Sequence, residues 1–102
     1  MSEVEVELGP VGQRLLMEND KVRVWQITLA PGESQQWHQH EHPYLVIAIE
    51  GAINIVTVID GRVIDAPEPT GSVLYRDPGP VHMLTNIGET TYVSRLVELL
   101  DA

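Results

Sequence analysis

The segment WHQHEHPY, residues 37–44, carries three of the chain's four histidines at every second position, namely His38, His40 and His42. Residues two apart in a β-strand project to the same face, so the three histidines and Tyr44 could lie side by side. Neighbouring imidazoles can share one metal ion at ligand distances of about 2.0–2.2 Å. The spacing therefore permits a metal site, although histidines on an exposed strand can equally be solvated polar side chains.

The composition limits which other chemistry is available. The chain has 102 residues, which is enough for about one domain. It has no cysteine, which excludes disulfides and thiolate metal sites. Its formal net charge of −9 would repel nucleic acid and anionic membrane surfaces, so we expect neither as a partner. A cation is the expected binding partner.

The start of the chain and its hydrophobicity bear on location. No stretch reaches membrane-spanning length, and the first residues, MSEVEVELG, are acidic where a secretory signal is basic and then apolar. We therefore expect a cytoplasmic protein.

Short apolar runs alternate with turn residues along the chain, a pattern typical of a sandwich or barrel of short β-strands. The hairpin signal is strongest at Asp60-Gly61, because Gly readily supplies the positive φ of a tight primed turn. The segment Ser94 to Leu100 would also suit a helical turn, but the preceding TTYV favours a strand. The predicted strands are Val4 to Leu8, Val22 to Leu29, Trp37 to His42, Tyr44 to Ile49, Ile53 to Ile59, Arg62 to Ile64, Val73 to Tyr75, Val81 to Thr85 and Thr90 to Leu100.

The spacing around the histidines extends into two longer patterns. The first reads Gly32, five residues, His38-x-His40, three residues, Tyr44, six residues, Gly51. The second reads Gly71, five residues, Asp77-x-Gly79, two residues, His82, three residues, Asn86. These two blocks closely resemble the paired motifs of the cupin superfamily, and the resemblance extends from about Val22 to Arg95. It implies an all-β fold, a small jelly-roll β-barrel or double-stranded β-helix. Residues 1–102 would form one domain, with 1–21 as an N-terminal strand and lead-in and 22–100 as the barrel.

The resemblance also implies a ligand set. By position in the motifs, His38, His40 and His82 would bind one divalent transition metal inside the barrel. Iron(II) is favoured, with zinc, nickel, manganese or copper as alternatives. Asp77 replaces the usual Pro of the second motif, but Pro78 follows at once and should preserve the turn.

Tyr44 stands where the first motif usually has Glu or Gln. Three neutral imidazoles would leave the double charge of the ion uncompensated and up to three coordination positions open. Tyr44 could hydrogen-bond a metal-bound group, fill space, or ligate the ion itself.

Tyr44 and His42 are the candidate catalytic residues, with Glu41 as a further nearby base. Pro43 pushes His42 into an extended, edge-like conformation, so we expect His42 at the rim, with a ligand role as the alternative. Arg76 precedes the second motif and could meet a substrate carboxylate at the barrel mouth, or be solvated or ion-paired.

Three functions are compatible with these residues. Cupins that resemble this ligand set include diketone-cleaving and thiol dioxygenases, which suggests a non-haem iron dioxygenase acting on a small keto or enol compound. The metal could instead serve an isomerase or lyase acting on a sugar acid or similar molecule. The third possibility is a non-catalytic module that binds a small molecule, because fold alone does not establish activity. A homodimer is expected in each case, since small sandwiches expose sheet edges and an apolar face.

Overall fold

The computed structural model describes residues 6–101, which form nine β-strands in two antiparallel sheets. The five-stranded sheet has the order β1-β2-β9-β4-β7, and the four-stranded sheet has the order β3-β8-β5-β6. The all-β prediction is confirmed. Over the described range there is no helix long and apolar enough to cross a membrane. The strands are β1 (Arg14–Glu18), β2 (Val22–Leu29), β3 (Ser34–His38), β4 (Tyr44–Glu50), β5 (Asn54–Val58), β6 (Val63–Asp65), β7 (Val73–Arg76), β8 (His82–Asn86) and β9 (Tyr92–Leu99).

Alternation along β2, β4 and β9 places one side of each strand in the core between the sheets. In β9, every second residue from Tyr92 to Glu98 is buried, whereas the residues between them are only half-buried. The core cluster consists of Ile27, Leu29, Tyr44, Ala48, Ala52, Tyr92 and Leu96. Fully burying a side chain of the size of Leu or Ile contributes about 1.5–3 kcal/mol, so this cluster supplies a main part of the stability.

Eight of the nine predicted strands have a counterpart in the structure, with ends that shift by a few residues. The segment Ser94 to Leu100 is strand almost throughout, as expected. The predicted strand Trp37 to His42 is wrong in its bounds, because β3 runs from Ser34 to His38 and the chain then leaves the ladder. The prediction Val4 to Leu8 lies partly outside the described residues, and its described part, 6–8, is not in a strand. Strand β1 was not predicted.

The hairpin predicted at Asp60-Gly61 is present between β5 and β6. The amide of Gly61 donates to the carbonyl of Val58 at 2.8 Å, and the amide of Val58 donates to the carbonyl of Arg62 at 2.8 Å. Gly61 has a φ of 98°, and no non-glycine residue in the described chain has positive φ. The loop is therefore a three-residue connection closed by a left-handed glycine, and not a two-residue primed turn.

Asn86, the last residue of the second motif, has a structural role. Its side chain is fully buried and donates to the carbonyls of Leu29 and Thr90 at 3.0 and 2.7 Å. Its amide oxygen accepts a hydrogen bond from the Gly88 backbone. These contacts join the end of β8 to β2 and to the turn before β9.

Candidate metal centre

Strands β3 and β8 bring three histidines to one point between the sheets. His38 ends β3 and is the direct antiparallel partner of His82, the first residue of β8. The ring centroid of His38 lies 5.0 Å from that of His40 and 4.6 Å from that of His82. The centroids of His40 and His82 are 5.3 Å apart. One ring nitrogen from each residue lies within 4.8 Å of the other two, so the group could hold one metal ion.

A β-bulge in β3 turns His38 toward this point. Gln35 pairs with Leu84 and His38 pairs with His82. Two residues of β3 therefore lie between these pairs, opposite a single residue of β8. In a regular strand, residues three apart face opposite sides, but the extra residue lets both Gln35 and His38 line the interior cavity.

The bulge also sets the protonation of the His38 ring. Nδ1 of His38 lies 2.6 Å from the carbonyl oxygen of Gln36. A carbonyl only accepts hydrogen bonds, so Nδ1 must carry the proton and Nε2 keeps its lone pair. Orienting a ligand through its other ring nitrogen in this way is the usual support of a metal-binding histidine.

His40 provides the test of whether the site fits a metal. It is buried, and its Nδ1 has no hydrogen-bond partner. A buried polar atom without a partner costs roughly 1–3 kcal/mol, and a metal ion bound by this nitrogen would offset that cost. Burial lowers the pKa of His38, lowers that of His40 to about 3 and lowers that of His82 to about 4, helped for the last two by neighbouring imidazoles. The rings are therefore neutral near pH 7, as metal ligation requires.

Tyr44 packs against the cluster. Its ring stacks on that of His40, with centroids 3.7 Å apart and planes inclined by 15°. Burial raises the pKa of the phenol to about 12, so the hydroxyl stays protonated. The structure thus places Tyr44 beside a candidate ligand and holds the His40 ring in position.

His42 is not brought into the cluster. After β3 the chain passes through irregular residues before β4 begins at Tyr44, and the alternation of faces ends there. His42 is half-buried and lines a separate side cleft of about 220 Å³, together with Trp25, Glu41 and Glu98.

The three histidines and Tyr44 line a cavity of about 350 Å³ between the two sheets. This volume is suited to a small organic molecule. The charged side chains of Arg62, Asp65, Arg76 and Asp77 also line it, and all four are exposed residues. Its apolar walls comprise Ile27, Val46, Val56, Val58, Leu74, Leu84 and Leu96.

Glu68 and Tyr92 are among the polar residues of this cavity that sequence reasoning missed. The Glu68 side chain is buried, and its Oε1 accepts a hydrogen bond from the Tyr92 hydroxyl at 2.7 Å. Glu68 lies in the stretch Pro67 to Gly71, which reads as a turn and has no spacing that links it to either motif. Only the unusual placement of a carboxylate between two prolines could have drawn attention to it.

The backbone holds Glu68 against the end of β4. Glu68 and Ala52 form a two-way bridge, each amide donating to the other's carbonyl at 3.0 Å. A Cβ on Gly51 would lie 2.4 Å from the carbonyl oxygen of Glu68 and from the amide of Thr70. The glycine of the first motif is therefore required here for close approach of two chain segments, without a positive φ.

No protein-family model matches the sequence, and no curated protein is significantly similar to it. Solved structures do share its fold. A cupin-domain protein from Bordetella pertussis Tohama I is similar with a TM-score of 0.78 at 20% identity, over 93% of this chain and 98% of that chain. A cupin superfamily protein from Desulfitobacterium hafniense DCB-2 gives 0.65 at 20% identity, over 96% and 84%. A protein with a double-stranded β-helix domain from Klebsiella pneumoniae gives 0.67 at 20% identity, over 98% and 86%.

These similarities identify the fold. The chain has the cupin fold, and the resemblance seen in its two motifs is confirmed in the fold. Within that fold it carries three histidines that could bind a metal.

Proposed function

We propose that this protein binds one divalent transition metal through His38, His40 and His82 and acts on a small keto or enol compound. Iron(II) is the favoured metal, with dioxygen as the second substrate. The observation that carries the proposal is the ligand group itself, three neutral imidazoles on the wall of a largely apolar cavity. Within residues 6–101, no carboxylate joins that group.

The donor set determines the chemistry. A divalent ion on three neutral imidazoles supplies Lewis acidity and up to three open coordination positions, enough for a bidentate organic ligand and dioxygen. The chain's own residues prepare the site: Gln36 orients the His38 ring and Tyr44 supports the His40 ring. The apolar walls exclude water from a bound compound.

Arg76 supports an anionic or enolic ligand. Its guanidinium lines the cavity, and its one hydrogen bond within the described chain is a long contact of 3.4 Å from Nη1 to the Tyr75 carbonyl. Among the described residues it forms no ion pair. The charge is therefore available to a substrate oxygen.

Metal content tests the site directly. We expect near-stoichiometric metal in untagged wild-type protein after anaerobic iron loading, and loss of that metal in His82→Ala. His42→Ala is the matched control, because His42 lies outside the cluster, and it should keep the wild-type content. Equal metal in His82→Ala and wild type would refute the ligand set. With iron-loaded protein, absence of oxygen uptake with diketones, keto acids and thiols would exclude the dioxygenase.

A metal-dependent isomerase or lyase is the second candidate, and one observation favours it. Such reactions need a proton-transfer group in addition to the metal. The cavity contains the buried carboxyl of Glu68. Turnover that is equal with and without oxygen would select this reaction over the dioxygenase.

We also propose that the protein is a homodimer that pairs through the outer face of the five-stranded sheet. One row of cross-strand partners crosses all five strands and is entirely apolar: Met17, Val24, Val97, Leu45 and Tyr75. The alternate residues of β9 are the buried ones, so this row faces outward. We infer that a second copy of the chain covers this row. A two-fold axis would pack the apolar row of one copy against the same row of the other, so that no like charges face each other although each chain has a net charge of −9. Light scattering should give a dimer mass for wild type and a monomer mass for Val97→Arg; a monomeric wild type would refute the interface.

A further inference from the structure

Glu68 is a buried carboxyl group that the candidate metal group does not include. Its side chain belongs to a residue that is only 5% exposed, yet Glu68 lines the same cavity as the three histidines. It comes from the loop between β6 and β7, which contributes no candidate ligand. Its place in the cavity therefore needs an explanation apart from the metal.

Only neutral groups hydrogen-bond to this carboxyl. Oε1 accepts from the Tyr92 hydroxyl at 2.7 Å, and Oε2 accepts from the Asn54 amide at a long 3.4 Å. No ion pair to Glu68 is found in the part of the chain that the structure describes. Because a carboxylate can accept about four hydrogen bonds, Glu68 retains acceptor capacity for a ligand in the cavity.

The surroundings suit transfer of a proton. Burial raises the pKa of Glu68, toward the range in which a carboxylate is an effective base near neutral pH, while the Tyr92 hydrogen bond, the Asn54 hydrogen bond and the charge of Arg76 oppose the rise. Glu68 also lines a separate outer cleft of about 680 Å³ that includes Thr70 and Glu89.

We propose that Glu68 is the catalytic base of this cavity, and that the substrates are carbonyl compounds with an acidic hydrogen on the adjacent carbon. The proposal rests on the proposed function, because Lewis acidity at the histidine cluster is what would make that hydrogen acidic. Proton abstraction is an essential step of the isomerase or lyase, and it would also deliver the enolate of a keto substrate to the dioxygenase. This base is also the proton-transfer group for which the motif residues offered only Tyr44, His42 and Glu41.

The proposed step conserves atoms and electrons. The Glu68 carboxylate forms an O–H bond with the α hydrogen, while the C–H electron pair becomes the carbon–carbon double bond and the carbonyl π pair moves to oxygen. Return of a solvent-derived proton from Glu68 to the same carbon gives exchange with solvent. When the α carbon bears a hydroxyl, protonation of the former carbonyl carbon, with transfer of the hydroxyl proton to the other oxygen, gives isomerisation. Neither outcome needs an oxidant or a reductant.

Exchange of carbon-bound hydrogen in D₂O tests the step without knowledge of the natural substrate. The full chain is loaded with zinc(II), which has no redox chemistry, and is incubated with 2-oxobutyrate, an α-keto acid, and dihydroxyacetone, an α-hydroxy ketone. Proton NMR follows loss of the α-hydrogen signal. We expect loaded wild type to exchange at least one probe and Glu68→Gln to exchange it at least about 100-fold more slowly, the usual contribution of a positioned base.

Controls separate a chemical role from a structural one. Glu68→Gln should keep wild-type metal content and probe affinity, and should lose the rise of exchange rate with pH that wild type shows. Tyr92→Phe should move the midpoint of that rise to higher pH, because the tyrosine hydrogen bond lowers the pKa of Glu68. Glu89→Gln, a carboxylate variant in the outer cleft, should exchange as wild type does.

The outcomes distinguish the two levels of inference. Wild-type exchange retained in Glu68→Gln, or fully loaded wild type that leaves both probes unexchanged, overturns the role of Glu68 while the metal site stands. Wild type that takes up no metal overturns the proposed function and with it this proposal.

Discussion

Among residues 6–101, two carboxylates are buried, and they differ in the groups that hydrogen-bond to them. Glu98 and Glu68 are exposed by only 4% and 5%. Glu98 receives a hydrogen bond from the Arg23 guanidinium at 3.0 Å and one from the Trp25 indole at 2.6 Å. Glu68 receives its hydrogen bonds from a tyrosine hydroxyl and a side-chain amide, both neutral.

The difference teaches how one residue type can serve structure or chemistry at equal burial. A charged hydrogen bond from the guanidinium of Arg23 ties Glu98 of β9 to β2. Neutral donors leave both protonation states of Glu68 accessible, and burial favours the protonated one. Glu98 therefore behaves as part of the framework, whereas Glu68 can gain or lose a proton inside the cavity.

The largest expected effect comes from removing the ion-paired carboxylate. Glu98→Ala leaves the Trp25 N–H without its acceptor and removes one of the two carboxylates that pair with the half-buried Arg23 guanidinium, the other being Glu18. We expect the free energy of unfolding to fall by about 3 kcal/mol, measured by urea denaturation. A loss well under 1 kcal/mol would show that Glu98 is not a structural element, and the contrast with Glu68 would disappear.

The next largest expected loss of stability comes from disturbing the backbone that holds Glu68. Gly51→Ala places a methyl group against the backbone of Glu68 and Thr70 and should cost about 2 kcal/mol. Gly79→Ala is the control, because no heavy atom lies within 4 Å of the Cβ it would add and its φ is not positive. Equal stability of the two variants would contradict the close packing of the loop on Gly51.

Removing the neutral hydrogen-bond donor to Glu68 should lower the free energy of unfolding by a smaller amount. Tyr92→Phe deletes the hydroxyl that contacts Glu68 but keeps the ring in the core, so we expect a loss of about 1 kcal/mol. Urea denaturation of this variant beside Glu98→Ala compares the two carboxylates directly. A loss in Tyr92→Phe as large as that in Glu98→Ala would mean that the hydroxyl of Tyr92 matters as much as the whole Glu98 side chain.

The smallest effect is a dependence on pH. Because the folded-state pKa of Glu68 is raised, its protonation contributes stability that is fully present below the ordinary value of 4.5 and is lost as pH rises through the folded-state pKa. The charged and polar groups that face the Glu68 carboxyl are Tyr92, Tyr44, Asn54 and Arg76. Glu68→Gln leaves all four unchanged. Wild type should thus lose stability relative to Glu68→Gln across that window, in unfolding curves taken at a series of pH values. Parallel curves would refute a raised pKa.

Much of the fold and of the histidine cluster could be predicted because both depend on patterns local in sequence. His38 and His40 are two residues apart, and His82 follows from the second motif. The expectation that His42 could share their face assumed a strand as far as residue 42, but the ladder ends at His38. Strand β1 escaped prediction because RLLME lacks alternation, and all five of its residues are exposed.

Glu68 could not be predicted because its role depends on contacts between distant segments. Its side chain hydrogen-bonds to Tyr92, which is 24 residues away in the sequence, and to Asn54, which is 14 residues away. Its backbone is held by the bridge to Ala52. Neither hydrophobic periodicity nor motif spacing indicates such contacts between distant segments. Spacing could identify the three histidines as candidate ligands but could not identify the other polar side chains of the cavity.

The bulge in β3 has a consequence for the length of the chain. If Gln36 were deleted, Gln35 and His38 would stand two residues apart, so β3 could pair with β8 in a regular ladder and still direct His38 inward. The shortened strand would lose the Gln36 carbonyl that accepts from Nδ1 of His38. The extra residue therefore bears on the tautomer of a candidate ligand more than on its location. Loop length at this point becomes a means of adjusting the hydrogen bonding of His38 while the fold is kept.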